Sequence, residues 1–193
     1  MDYNATGIAV WITNLGNLAV VGPAAVLVWV WILRRRGFWA AVRYQWPVAV
    51  TFALTVVLKF VSRAHGGAFT GTPYALSTGA PSGHMSMSTV VYGGVAMMLL
   101  RRGAEPIALL SALVTAAVLA GVAVTRVILH THTPADVLTG FLLGGACALW
   151  MGSVAEVPAR EPVRYVGELV VMLAGIVLLM HLSGIHFYST TVM

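Results

Sequence analysis

His132 and Asp136 stand four residues apart, just after Thr133-Pro134. If the chain turns helical there, that spacing puts a carboxylate on the same face as an imidazole. The acid would fix the tautomer and stabilise the imidazolium, leaving the other ring nitrogen free to attack. His130 has no such partner, because Thr133 and Pro134 occupy the positions three and four residues on; it is expected to be a histidine of the loop or one that supports the site from behind. Pro81-Ser82-Gly83-His84 opens an apolar run. A serine and a glycine at a helix start leave backbone N–H groups facing an anion; ordinary helix capping is the plainer use of both, and the two uses are compatible. Lys59, Arg63 and Arg126 add fixed positive charge, and guanidinium forks suit phosphate oxygens. Together these residues point to nucleophilic catalysis on phosphorus. One histidine attacks, a second protonates the leaving oxygen, and cations and helix-end amides hold the developing charge.

Such groups need rigid elements, and the composition says what those elements are. Of 193 residues 59% are hydrophobic and 9% charged, and the mean hydropathy is +0.89. A water-soluble domain carries about 25% charge, so the chain is read as an integral membrane protein. The single cysteine, Cys147, excludes an intrachain disulfide framework. A formal charge of +5 would suit nucleic acid, but the arginines sit in short clusters between apolar segments, the pattern of membrane topology. No nucleic-acid partner is expected; the partners are membrane lipids and a lipid substrate.

Crossing a bilayer takes about 20 apolar residues. Six spans are expected, near 15–33, 46–62, 85–100, 106–125, 135–154 and 165–183, with the mixed segment 8–14 lying in the interface. The N-terminal residues lack the basic stretch of a signal peptide, so the first span is expected to stay in the chain. Pro47, Pro106 and Pro134 fall near expected helix starts, where a missing N–H costs little. Arg34, Arg35, Arg36 and Arg43, then Arg101 and Arg102, then Arg160 and Arg164 all fall on one side of six spans, which the positive-inside rule makes cytoplasmic. Trp29, Trp31, Trp39 and Trp46 read as interface anchors on that side. The expected fold is therefore all-α: one polytopic domain over 1–193, a six-helix membrane bundle with both termini on the non-cytoplasmic side.

Removing the topological arginines leaves Lys59, Arg63, His65, Ser82, His84, Arg126, His130, His132 and Asp136, all at the outer ends of spans two to five. An ionisable group at a helix centre costs about 2.5–3.5 kcal/mol on insertion scales, so such residues are functional candidates by default. Lys59 is the sole lysine. Snorkelling to the interface would explain it alone, but not its convergence with two arginines and several histidines.

Pro81-Ser82-Gly83-His84 followed by Arg126-x5-His132-x3-Asp136 resembles two of the three motifs of the type 2 phosphatidic acid phosphatase superfamily. That superfamily includes membrane lipid phosphatases, prenyl diphosphate phosphatases, glucose-6-phosphatase and vanadium haloperoxidases. The resemblance implies His132 as nucleophile, Asp136 as its orienting partner and His84 as general acid, with Arg126, Ser82 and Gly83 as phosphate ligands and no metal or cofactor. The family's remaining motif, a lysine followed after six residues by Arg-Pro, is degenerate here. Lys59 is followed at that spacing by Gly66-Gly67, and Arg63 is the substitute within reach. Thr125 stands where the family usually has serine before the arginine. A small six-span chain with an outward site most resembles the lipid phosphatases of bacterial inner membranes, which act on undecaprenyl pyrophosphate, phosphatidate, phosphatidylglycerophosphate or related lipids.

Three rivals are weaker. A metal enzyme or transporter would use the six histidines, but three cations in the same pocket repel a divalent ion. A lipid-to-lipid phosphotransferase would share the histidine chemistry and differ only in the acceptor. A non-catalytic scaffold accounts for the stripe Gly140-x3-Gly144-x3-Ala148, which suits close helix contact or a homodimer, but not for the polar spacings.

Overall fold

The computed structural model describes residues 3–65, 79–101, 106–154 and position 175. The expected sixth span, Arg102, Arg160 and Arg164 lie outside the described residues. Among the described residues the regular elements are all helical: α1 (Tyr3–Asn14), α2 (Leu18–Arg36), α3 (Phe38–Ala64), α4 (Gly83–Ser88), a π-helical turn (Thr89–Gly93), α5 (Gly94–Leu100), α6 (Pro106–Ile128) and α7 (Pro134–Val154). Because α4, the π turn and α5 follow one another without a break, Gly83–Leu100 forms one central span. Among the described residues, five helical stretches are long and apolar enough to cross a membrane: Gly7–Arg36, Phe38–Ala64, Gly83–Leu100, Pro106–Ile128 and Pro134–Val154.

Local chemistry sets most of the ends. Pro106 and Pro134 sit at the first helical positions of α6 and α7, as expected. The Asn17 side chain accepts from the Ala19 N–H at 3.0 Å and caps α2. Gly37, at φ 83°, lets α2 stop and α3 begin within one residue.

Three expectations change. Pro47 lies well inside α3 rather than near its start, because the helix begins at Phe38, and Pro23 lies inside α2. Membrane helices tolerate this where neighbouring groups re-satisfy the backbone, and here the Thr51 hydroxyl donates to the Pro47 carbonyl at 2.8 Å. Trp31 is 8% exposed within the main core cluster, with Trp29 packed against it. It is a packing residue, while Trp39 and Trp46 remain exposed. The segment 8–14 belongs to a helix packed on α6, where a Cβ at Gly121 would lie 2.9 Å from the Ile12 side chain.

The central span packs along α7 and beside α3, so both of its flanks are protein. The reverse holds for α6, whose Leu110 and Leu113 are largely exposed. An apolar face turned outward over a whole helix suits a lipid solvent rather than water. The protein is therefore an integral membrane protein.

The contact between α7 and the central span runs through glycines. A Cβ at Gly140 would sit 2.6 Å from the Ser82 carbonyl oxygen, and one at Gly144 would collide with the Ser86 carbonyl. Ala148 continues the stripe against Gly93. The small-residue stripe is thus used within the bundle. Gly144→Val should lower stability by about 1–3 kcal/mol, the usual cost of overpacking. Gly145→Ala, whose added Cβ meets nothing within 4 Å, should be tolerated. Thermal unfolding of the two variants in the same detergent checks this, and equal melting temperatures would contradict the packing.

Candidate active site

Four helix ends meet at one end of the bundle: the last turn of α3, the start of α4, the last turn of α6 and the start of α7. The arginines of the other end, Arg34, Arg35, Arg36, Arg43 and Arg101, are separated from them by the length of the spans.

The spacing from Arg126 to His132 is the geometry of a helix stop. His130 adopts φ 52°, the left-handed conformation that ends many helices. The Thr131 N–H reaches back to the Arg126 carbonyl at 3.2 Å and the His130 N–H to the Val127 carbonyl at 3.0 Å, which together form a Schellman motif. The same Arg126 carbonyl also accepts from the His132 N–H at 3.2 Å and the Thr131 hydroxyl at 3.0 Å. One carbonyl therefore holds the nucleophile candidate against the helix that carries the arginine. His130 itself is exposed and serves the turn, as its lack of a partner suggested.

From His132 to Asp136 the spacing is that of a helix start. The Asp136 carboxylate (Oδ2) accepts from the Thr133 N–H at 3.0 Å, and the Thr133 hydroxyl accepts from the Asp136 N–H at 3.2 Å, a reciprocal capping pair. The carboxylate also lies 3.6 Å from His132 Nδ1. That is ion-pair range, and it turns Nδ1 rather than Nε2 toward the carboxylate. His132 is buried and Asp136 fully so. Burial holds the His132 imidazole below the usual histidine range, with the charges of Arg126 and Lys59 adding to the effect and Asp136 opposing it. A neutral imidazole is the nucleophilic form.

The Ser82 N–H donates to the Asp136 carbonyl at 2.9 Å, tying the start of α4 to the start of α7. Ser82 is the N-cap residue, yet its hydroxyl makes no capping bond. It is fully buried with no hydrogen-bond partner among the described residues. Simple capping is therefore not what this side chain does. Arg126 Nε is likewise buried without a partner among the described residues. Lys59 is half-buried, with its Cε 3.8 Å from where a Gly83 Cβ would stand. His84, half-buried, lies within electrostatic reach of Arg126, His132 and Lys59. Two unpartnered donors, a lysine and a helix start therefore surround the space between the two histidines, a setting for a tetrahedral anion.

Arg63 is exposed and lies over Gly79, with its Nε 3.9 Å from a Cβ built there. It sits at the rim, while Lys59 sits inside. His65 closes the end of α3, its Nδ1 2.9 Å from the Val61 carbonyl. Thr125, in the place of the usual serine, turns its hydroxyl back on α6, bonding Gly121 and Val122 carbonyls at 2.8 and 3.0 Å. Thr55 escaped the sequence reading. It lies one helical turn before Lys59, is buried, and has a hydroxyl without a partner among the described residues. Its methyl group is 3.8 Å from the Gly83 Cβ position. The lone clue was a threonine four residues before the only lysine. Among the described residues, no three His, Cys, Asp or Glu side chains gather as a metal site would require.

A family model of the PAP2 superfamily matches residues 59–156. The chain belongs to the PAP2 superfamily. The matched stretch begins at Lys59 and ends beyond α7, so it contains every residue of the cluster just described except Thr55. PAP2 proteins are generally phosphatases, which gives this chain a phosphatase-type activity in the coarse sense. No curated protein and no solved structure matches it.

Two outcomes test this geometry. His130→Gly should keep the fold and the activity, because glycine adopts the left-handed conformation without the roughly 1–2 kcal/mol that a side chain costs there; a loss of activity would give His130 a chemical role. In NMR of isotope-labelled histidines, His132 should remain neutral at about pH 6, below the ordinary histidine value of about 6.5. Asp136→Asn removes the one charge that raises its proton affinity, so it should lower the transition further. Protonation of His132 near the ordinary value would contradict the burial.

Proposed function

We propose that this PAP2 protein is a metal-independent lipid phosphatase that hydrolyses a phosphate monoester or diphosphate of a lipid through a phosphohistidine on His132. The observation that carries the reading is the buried His132–Asp136 pair, held beside Arg126, with His84 of another span within electrostatic reach of His132.

The reaction runs in two steps. His132 Nε2 attacks phosphorus as the bond from phosphorus to the lipid oxygen, or to the bridging oxygen of a diphosphate, breaks. His84 gives its proton to the leaving oxygen. Water then attacks the phosphohistidine, His84 takes a proton from that water, and the P–N bond breaks to release phosphate and neutral His132. Asp136 stabilises the imidazolium character that His132 gains during attack. Arg126, Lys59, the Ser82 hydroxyl and the amides at Gly83 hold the equatorial oxygens, where charge accumulates in the transition state. Arg63, at the rim, would meet a second phosphate or the outer oxygens of the first.

Sidedness follows from charge. The arginine clusters lie at the end of the bundle opposite the site, and such clusters stay cytoplasmic. The site then faces the exterior or periplasm of a plasma membrane, which in a bacterium is the inner one. A lipid phosphate at the headgroup level is the substrate that such a site meets.

The test is phosphate release by detergent-purified protein in EDTA from undecaprenyl pyrophosphate, phosphatidate and phosphatidylglycerophosphate. At least one should be hydrolysed, and His132→Ala should lower the rate by a thousandfold or more, about the scale of losing a nucleophile. Covalent phosphate labelling should vanish in the same variant; retained labelling would remove His132 as nucleophile. Arg63→Ala should raise KM several-fold, and unchanged kinetics would exclude Arg63 from substrate binding.

A further inference from the structure

Thr51, Thr55 and Lys59 follow one another at intervals of four residues on α3, so they lie along one face of that helix. A threonine inside a membrane helix commonly returns its hydroxyl to the carbonyl one turn back. Thr51 does so, donating to the Pro47 carbonyl at 2.8 Å, and Thr125 and Thr139 do the same on α6 and α7. Thr55 does not. It is 5% exposed, and its Oγ1 has no hydrogen-bond partner among the described residues. A buried hydroxyl without a partner is a cost to folding, and a residue that carries such a cost invites a functional reason.

Its neighbour supplies one. A Cβ at Gly83 would stand 3.8 Å from the Thr55 methyl group and 3.8 Å from Lys59 Cε. Both side chains thus reach the one residue between Ser82 and His84, which has no side chain of its own. The Ser82 hydroxyl is buried and without a partner there too. Thr13 and Thr89 are likewise unpartnered among the described residues, but Thr89 packs on Gly93 and Gly144 in the seam between two helices. Thr55 is the one whose methyl group reaches Gly83.

Depth explains the residue type. Thr55 lies about 6 Å further into the bilayer than Lys59, four residues at 1.5 Å each. A second cation at that level would be costly, whereas a hydroxyl donates a hydrogen bond with no charge to bury.

We infer that Thr55 is a further phosphate-binding residue: its hydroxyl donates to an oxygen of the bound phosphoryl group from the membrane side, below Lys59. The inference rests on the lipid-phosphatase reading for its anion and adds a residue that precedes the matched stretch 59–156. With Arg63 at the rim, the part of α3 that serves the deep pocket consists of Lys59 and Thr55. The lysine attracts the anion, and the threonine adds a directed bond that fixes its orientation toward His132.

Thr55→Val replaces the hydroxyl by a methyl group of similar shape, and Thr55→Ser keeps it. Inorganic phosphate is titrated into the detergent-purified full chain by calorimetry. It should bind about tenfold or more weakly to Thr55→Val, the scale of one hydrogen bond to a charged group, and within about threefold of wild type to Thr55→Ser. On whichever lipid is hydrolysed, kcat/KM should fall by a similar factor in Thr55→Val. The melting temperature without phosphate separates ligation from packing. It should be unchanged or higher in Thr55→Val, because only an unpartnered hydroxyl has been removed. Thr51→Val is the control: it loses the bond to Pro47 and should melt lower, yet keep its affinity for phosphate.

Equal phosphate affinity in wild type and Thr55→Val overturns the assignment and leaves the phosphatase reading standing. A lower melting temperature in Thr55→Val, or failure of that variant to fold, makes Thr55 a packing residue and overturns it as well. Phosphate affinity that depends on the Thr55 hydroxyl, with no phosphate released from any lipid tried, sustains the ligand and sinks hydrolysis. Wild-type protein that binds no phosphate overturns both.

Discussion

One backbone hydrogen bond, from the Ser82 N–H to the Asp136 carbonyl, joins the starts of two membrane helices, and the site depends on it. It forms only because α7 and the central span approach to backbone contact, which Gly140 and Gly144 permit and a side chain would forbid. Without that approach His84 and His132 would belong to separate helix ends. With it, the two segments that carry them share one wall. The Ser86 hydroxyl, bonded to the Ser82 carbonyl at 2.9 Å, occupies the adjoining turn and keeps the seam satisfied.

The same economy governs the stretch from Arg126 to Asp136. A helix must stop and another must start within a few residues, and both events leave backbone groups in need of partners. The stop uses the Arg126 carbonyl and the left-handed His130; the start uses Thr133 and Asp136. His132 lies between the two, fixed by its own N–H on one side and by a carboxylate on the other. Functional side chains and capping groups are here largely the same residues. This explains how a loop between two helices holds the His132 imidazole in place.

Electrostatics completes the design. Lys59 and Arg126 bring positive charge to a place where solvent is scarce, and one carboxylate, Asp136, stands near them. The dianionic phosphate of the proposed substrate would answer that imbalance. Arg63 at the rim is the element that differs from the usual family pattern, and it leaves the deep part of the pocket to Lys59, Arg126 and the helix start.

Much of this was legible in the residues. Apolar runs of bilayer length separated by arginine clusters specify membrane helices, because no water-soluble core could bury them. The spacing Arg126–Asp136 specifies local geometry, because it ends one helix and caps the next wherever the chain lies. The role of His130 was legible for the same reason. Other features were not. Pro47 inside α3, Trp31 in the core and the docking of α1 on α6 depend on neighbours distant in sequence. Periodicity alone does not reveal whether Ser82 caps its helix or aims its hydroxyl elsewhere, nor that Thr55 borders Gly83. The sequence by itself determined the helices, their ends and the residues fit for phosphate. Only the tertiary structure decided which helix ends meet, because that depends on how closely two backbones approach. That distance is set by pairs of small residues on different helices.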